Sequence, residues 1–297
     1  MKGSNKIRAF TLIEIMVATV IMVILSGLII QISNEVLKLW NRSSGKLSAG
    51  AEARLAMDII ASDLESIIVK NDGGEWFRAE NDNLKKPSKS ETVSLRFFTI
   101  IKNKVFDTSG NEIPGNIAAV AYNLDFSSPV DGSYRGDKTF ILYRMEVDPE
   151  TTYYDLLNRE SRDSLPNKRS ISWGKGNLIK GQNGSNYLVS NIVDFAIDFY
   201  VEDDGRKDTP TQYFEKSVKN PNRSVIYGGE NATIGPLSRV EHYQKPLSYA
   251  DVKLTVLSDE GIDMMRHINK RPETPEEVIR LHSDVFIRRI YFKTKPF

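Results

Sequence analysis

The sequence predicts an α+β protein in which a long N-terminal α-helix packs on an antiparallel β-sheet head. Residues 10–32 are apolar apart from one charge, Glu14, and a few uncharged polar side chains. The pattern then becomes amphipathic up to about residue 72, and residues 1–70 contain no proline that would end a helix. From residue 92 onwards, short alternating stretches separated by turn-forming residues are typical of β-strands.

The first half of the predicted helix has the length and composition of a membrane span. Residues 15–30 form an almost unbroken apolar run, and about 20 apolar residues cross a bilayer as a helix. Three basic residues precede the run and favour a cytoplasmic N-terminus: Lys2, Lys6 and Arg8. Three others follow it and oppose that bias, although Glu35 offsets them in part: Lys38, Arg42 and Lys46.

Three other interpretations of residues 10–32 are open. A signal peptide has a shorter apolar core of ~7–15 residues and then a small-residue cleavage site, and residues 31–35 contain no such site. A plain membrane anchor leaves Glu14 unexplained, because a carboxylate is unfavourable inside hydrocarbon. A buried core helix is seldom apolar on every face over this length.

A further interpretation accounts for the carboxylate. Residues 9–14 read Ala-Phe-Thr-Leu-Ile-Glu, behind a basic leader and ahead of the apolar run. This segment resembles the prepilin cleavage and methylation motif of type IV pilins and type II secretion pseudopilins. The resemblance implies cleavage of a leader, residues 1–9, between Ala9 and Phe10, followed by methylation of the Phe10 amine. Ala9 stands where the family usually has glycine.

The resemblance also implies a role for Glu14, which becomes the fifth residue of the mature chain. The family pairs this carboxylate with the N-terminal ammonium of a neighbouring subunit, and a charge in lipid is tolerated when it is paired. The implied protein is a non-enzymatic, pilin-like filament subunit without a cofactor. Its implied partners are the prepilin peptidase/methyltransferase, other pilin or pseudopilin subunits and the inner membrane, which it crosses once with its head in the periplasm or in an extracytoplasmic filament.

Composition narrows the remaining function classes. The chain has 297 residues, a formal net charge of +1 and no cysteine. A near-neutral charge gives no reason to expect a nucleic acid partner. Without cysteine there is no disulfide framework, thiolate nucleophile or cysteine-bound metal, so the head depends on its own apolar core.

Residues 33–72 are predicted to continue the helix as a soluble, amphipathic half. One apolar face comprises Ile32, Val36, Leu39 and Trp40, and then Leu47, Ala51, Leu55, Ile59 or Ile60, Leu64 and Ile67 or Ile68. The charged residues of this part are expected to be exposed: Glu52, Arg54, Asp58 and Asp63. The alternative is two helices separated at Gly45, because glycine weakens a helix. Turn residues at 71–74 are expected to end the helix near residue 70.

The head, residues 73–297, is predicted to be rich in β-strands. Strands are expected at residues 92–101, 117–126, 139–147, 191–201, 249–257 and 284–292, with the second and third forming an antiparallel pair. Short helices are expected after the caps Ser258 and Thr274. Residues 206–244 are polar and contain several prolines, so they are interpreted as an ordered surface excursion or a mobile loop.

Parts of the head suggest a subtype. Residues 143–144, 193–200 and the turn at 203–205 resemble strand patterns of the J-type minor pseudopilins. Residues 249–257 and 285–292 are similar to J-like proteins in the pilin-rich gene families of Verrucomicrobia-type bacteria. The large head with long loops implies a minor subunit of a type II secretion or type IV pilus-like machine, engaged in protein transport, because repeating major subunits are usually smaller.

No catalytic or metal-binding motif stands out in the head. The three histidines, His242, His267 and His282, have no metal-ligand spacing, and no nucleophile–base set can be named. Weak calcium candidates lie in an acidic stretch that reads first as a turn: Asp203, Asp204 and Asp208. The rival function is a membrane-anchored periplasmic ligand-binding or adhesive module that binds through residues 206–244.

Overall fold

Helix α1 (Leu12–Glu65) is the first element and confirms the predicted long N-terminal helix. It passes through Gly45 without interruption, so the alternative of two helices separated there is wrong. The computed structural model describes residues 11–68, 76–83, 91–101, 110, 115–157, 177–201, 211–214, 224–227, 247–270 and 272–293. The chain divides into two compact units, residues 1–47 and residues 48–297.

In the described part of the second unit, two antiparallel sheets build the head. The strands are β1 (Phe77–Asn83), β2 (Glu91–Ile100), β3 (Ile117–Ser127), β4 (Thr139–Val147), β5 (Tyr187–Ser190), β6 (Ile192–Val201), β7 (Thr211–Phe214), β8 (Ser224–Tyr227), β9 (Leu247–Leu257) and β10 (Ser283–Tyr291). One sheet has the order β5-β4-β3-β2-β1-β8 and the other β10-β9-β6-β7. The predicted α+β class is confirmed, with two sheets where the sequence suggested one.

The six predicted strands are confirmed as β2, β3, β4, β6, β9 and β10, and β3 pairs with β4 in antiparallel register as expected. Strands β1, β5, β7 and β8 were not predicted. In β1, the Glu80 carboxylate accepts from Arg78 Nη1 and from Arg96 Nη2 on β2, each at 2.8 Å. Because these polar side chains pair across the sheet, β1 lacks the apolar alternation that marks a strand. Residues 206–244 contribute β7 and β8, one edge strand to each sheet.

Short helices occupy the predicted places late in the chain. Helix α4 (Asp259–Arg266) begins after Ser258, whose hydroxyl accepts from Gly261 N. Helix α5 (Pro275–His282) begins with a capping box between Thr274 and Glu277. Two further short helices, α2 (Pro149–Thr151) and α3 (Asn177–Lys180), lie earlier in the chain.

The C-terminal part of α1 packs into the core that the two sheets share. Its buried side chains are Ala53, Ala56, Met57, Ile60, Ala61 and Leu64. Three of these six residues are alanines, whose small side chains allow the helix axis to lie close to the sheets. Leu47, Ala51 and Leu55 of the predicted apolar face are exposed and do not pack on the sheets. Ile60, Leu64 and Ile67 of the same face are buried. The sheets meet through aromatic rings: Phe77 and Phe199 have centroids 5.3 Å apart.

Helix α1 ends at Glu65, earlier than predicted, because the chain turns to pair with β2. Ile68 N donates to Phe98 O at 2.8 Å, and Ile100 N donates to Ser66 O at 3.0 Å. The Thr99 hydroxyl donates to the Asp63 carbonyl at 2.8 Å and so satisfies one of the helix's terminal carbonyls. These bonds offer the backbone a strand-like partner where a further helical turn would otherwise form.

A largely buried polar network connects α1 to strands β3 and β4. The Asp63 carboxylate accepts from the Tyr122 hydroxyl and, at 2.8 and 3.2 Å, from Nε and Nη2 of Arg144. Tyr122 and Arg144 lie opposite each other in the β3–β4 register. Only 12% of the Asp63 side chain is exposed, so the prediction that this residue faces solvent is wrong.

Removing the Tyr122 hydroxyl is expected to change how stability depends on pH. Burial, and then the negative charge of Asp63, raise the pKa of Tyr122 well above its usual 10.0. A pKa raised by folding contributes stability below pH 10 that is lost as pH rises further, by up to ~1.4 kcal/mol per pH unit. We expect the free energy of unfolding of Tyr122→Phe to fall less steeply above pH 10 than that of the wild type, measured by urea titration. The other tyrosines are present in both proteins, so their contributions to the pH dependence cancel in the comparison. Equal slopes of unfolding free energy against pH for the two proteins would contradict the prediction.

Candidate functional site

The first turn of α1 is held by its own side chains. Thr11 precedes the helix, and its backbone N and its hydroxyl both donate to Glu14 Oε2 at 2.9 Å. In return, Glu14 N donates a hydrogen bond to Thr11 Oγ1 at 3.4 Å. This reciprocal arrangement is a capping box, which satisfies backbone N–H groups that a helix start leaves without intrahelical partners. The helix therefore begins at a defined residue.

The capping box also fixes the position of the one charge in the apolar segment. The Glu14 carboxylate is turned back towards the start of the helix, where the helix dipole favours a negative charge. Sequence analysis singled out Glu14 but overlooked Thr11 as its partner. The Thr-x-x-Glu spacing was the signal that could have revealed it.

Behind this turn, the apolar side chains of α1 are exposed on all sides of the helix. At least half of each large side chain is accessible among Leu12, Ile13, Ile15, Met16, Val17, Val20, Ile21, Met22, Val23, Ile24, Leu25, Leu28, Ile29, Ile30 and Ile32. The Thr19 hydroxyl donates to Met16 O at 2.9 Å, so it needs no other partner in an apolar surrounding. The segment is about 30 Å long at 1.5 Å per residue, which matches the hydrocarbon thickness of a bilayer.

Among the described residues, α1 is the one helix long and apolar enough to cross a membrane. A signal sequence near an N-terminus can also be long and apolar enough to form such a helix, so this property alone does not separate the two. What distinguishes them here is Glu14, which a signal peptide does not need and which the structure places at the very start of the helix.

The other predicted site residues fall elsewhere. Ala9 and Phe10, the cleavage and methylation pair, lie outside the described residues, as do the calcium candidates Asp203, Asp204 and Asp208. Within the described ranges, no group of three or more histidine or acidic side chains could hold a metal ion. His267 follows α4 and is exposed, whereas His282 ends α5 and is buried, which agrees with their interpretation as surface and structural residues.

Comparison with protein families identifies the N-terminal segment. Residues 4–30 match the model of the prokaryotic N-terminal methylation motif. The chain carries that methylation motif. The match includes residues 9–14 and much of the exposed apolar surface of α1, so the geometry described above belongs to an N-terminal methylation motif.

The head is not identified in the same way. No curated protein matches the chain. Among solved structures, a type IV-like pilin from Thermus thermophilus is similar at 7% sequence identity and a TM-score of 0.35, over 82% of this chain and 94% of that chain. A likeness at this level does not decide a common fold, so the function of the head is argued from its own residues.

Proposed function

We propose that the protein is a membrane-anchored, pilin-like filament subunit that assembles through α1. The observation that carries the proposal is the methylation motif of residues 4–30, placed at the start of a helix whose apolar side chains are exposed. Such a surface needs lipid before assembly and neighbouring helices after it. The proposed role requires neither a catalytic site nor a metal ion.

The proposed order of events begins in the inner membrane. Prepilin peptidase removes the leader, residues 1–9, and the new Phe10 amine is methylated. Residues 10–32 cross the membrane once with the N-terminus in the cytoplasm. Residues 33–65 continue α1 as the soluble stalk, and residues 73–297 form a head outside the membrane. On assembly, the Glu14 carboxylate of one subunit forms an ion pair with the Phe10 ammonium of the next. The two charges therefore enter the filament core together.

Within this class we propose a minor pseudopilin, of the J type, in a type II secretion or type IV pilus-like machine. Two of the segments that carry the J-type resemblance, residues 143–144 and 193–200, lie in β4 and β6, and the third, the turn at 203–205, lies outside the described residues. A head of two sheets is also larger than a repeating subunit needs. Both points favour a subunit present in few copies, such as one at a filament tip.

Processing is tested by the mass of the N-terminal peptide. We expect membrane-extracted protein from the native host to begin at Phe10 and to carry one additional methyl group. The physical reason for cleavage there is that Ala9 is small enough to replace the usual glycine at the cut. An intact peptide beginning at Met1 would contradict the proposal and leave a protein that is anchored but not processed. Ala9→Gly, which restores the usual residue, serves as the matched control for cleavage efficiency.

A further inference from the structure

Exposed apolar side chains continue along α1 beyond the proposed membrane span. Val36, Leu39 and Trp40 are exposed by 56%, 65% and 71%. Lys38 lies on the other side of the helix, with its Nζ 3.8 Å from Glu35 Oε1. The segment therefore has an aromatic and aliphatic side and a charged side, and its apolar side continues directly from the surface that the membrane covers.

The depth of Trp40 follows from helix geometry. Its Cα lies eight residues beyond Ile32, or ~12 Å along the axis. Side chains on a helix lean towards its N-terminus and cover the preceding turn, ~5.4 Å back. The indole ring would therefore lie ~7 Å beyond the hydrocarbon, within the ~5–8 Å headgroup layer of one leaflet. Tryptophan is enriched in that layer because its ring is apolar and its N–H is polar.

The charges of the same segment also suit a headgroup layer. Residues 33–47 contain Lys38, Arg42 and Lys46 against Glu35, which gives a net charge of +2. Positive charge on this side of the span opposes the orientation that the basic leader favours. Anionic lipid phosphates would balance it, and lysine near a membrane end extends along the helix to reach them.

We propose that Val36, Lys38, Leu39 and Trp40 form a lipid collar, which binds the headgroups of the outer leaflet before assembly. Trp40 lies among the headgroups, and Lys38 binds an anionic phosphate. The collar sets the depth of α1 and thereby keeps Glu14 near the opposite boundary of the bilayer. This inference rests on the membrane anchoring in the proposed function. It adds that the residues of α1 directly after the span contact the lipid headgroups.

The test uses the full chain in vesicles of phosphatidylcholine and phosphatidylglycerol that carry brominated acyl chains. Bromine quenches tryptophan emission on contact, so its position along the chain reports depth. We expect bromine near the headgroups to quench the Trp40 emission roughly twofold more than bromine near the bilayer centre. Trp40→Phe is expected to lose this difference. Trp76, which is buried against Phe77 in the head, and Trp173 are present in both proteins, so their emission cancels in the comparison.

Three outcomes would overturn the collar. The protein could co-float with vesicles after alkaline extraction and yet show no quenching that depends on Trp40. In that case α1 is anchored without a lipid collar. Stronger quenching by bromine at the bilayer centre would place Trp40 in hydrocarbon. Equal quenching by bromine at both depths would mean that the Trp40 ring has no defined position in the headgroup layer. Failure to co-float would instead refute the anchoring itself.

The role of Lys38 is tested in the same vesicles. Omitting phosphatidylglycerol is expected to weaken shallow quenching of the wild type, and Lys38→Gln is expected to be insensitive to this change. Glu35→Gln, which leaves the lysine and removes its neighbour in the 3.8 Å pair, is the matched control and should remain sensitive. Equal sensitivity of Lys38→Gln and the wild type would overturn the assignment of the phosphate contact.

Discussion

Glu14→Ala is expected to reduce recovered filament at least ~10-fold, because the Phe10 ammonium of each incoming subunit would enter the apolar helix bundle without a counter-charge. The head should remain folded, since Glu14 lies in the N-terminal unit and its described hydrogen bonds are with Thr11. The measurement is the amount of sheared filament per cell. The near-ultraviolet circular dichroism of the purified variant checks the head.

The capping box makes it possible to separate the charge of Glu14 from its part in starting the helix. Glu14→Gln removes the charge but keeps an oxygen that accepts from Thr11 N. Thr11→Val removes the hydroxyl but keeps the charge. If charge pairing drives assembly, Glu14→Gln fails as Glu14→Ala does, while Thr11→Val assembles. If Thr11→Val fails and Glu14→Gln assembles, assembly requires the helix cap and not the charge. A wild-type filament yield from Glu14→Gln would refute charge pairing.

The features of α1 that could be predicted from the sequence are those with local signals. An apolar run, an absence of proline and a single acid in a short motif specify a long helix and its critical carboxylate, because each acts within a few residues. The buried face of the helix was harder to predict. Leu47 and Leu55 suggested a face by their size, yet Ala53 and Ala56 are buried because close approach to a sheet favours small side chains.

In the head, too, the features that could not be predicted are those that depend on contacts between residues far apart in the sequence. Strands such as β6 and β9 alternate because one side faces the core, and that pattern is visible in the sequence. Strand β1 owes its polar composition to ion pairs between Glu80 and arginines on β1 and β2. Asp63 was expected to be exposed because its partners, Tyr122 and Arg144, are 59 and 81 positions away. Contacts of that separation leave no periodic trace in the sequence.

The second large effect is expected on stability, when the hydrogen-bonded network around Asp63 is broken. Asp63→Ala is expected to lower the free energy of unfolding by ~3 kcal/mol, because breaking a buried pair leaves the remaining charge without its partner. Arg144 is only 19% exposed, and Tyr122 is fully buried. The hydrogen bond from Arg144 Nη1 to Glu146, at 2.6 Å, moderates the loss but cannot replace the contacts of Nε with Asp63. Urea unfolding of the full chain in detergent measures the change.

Asp58 provides a matched control on the same helix. It pairs with Arg288 of β10, as Asp63 pairs with Arg144 of β4, but the two side chains are 67% and 41% exposed. An exposed pair contributes ~0–1 kcal/mol, so Asp58→Ala should change stability little. The double variant Asp63→Ala/Arg144→Ala then isolates the interaction: it should be less destabilised than the sum of its single variants, because neither charge is left alone. Additive losses, or equal effects of Asp58→Ala and Asp63→Ala, would mean that burial of the Asp63 pair does not hold α1 to the head.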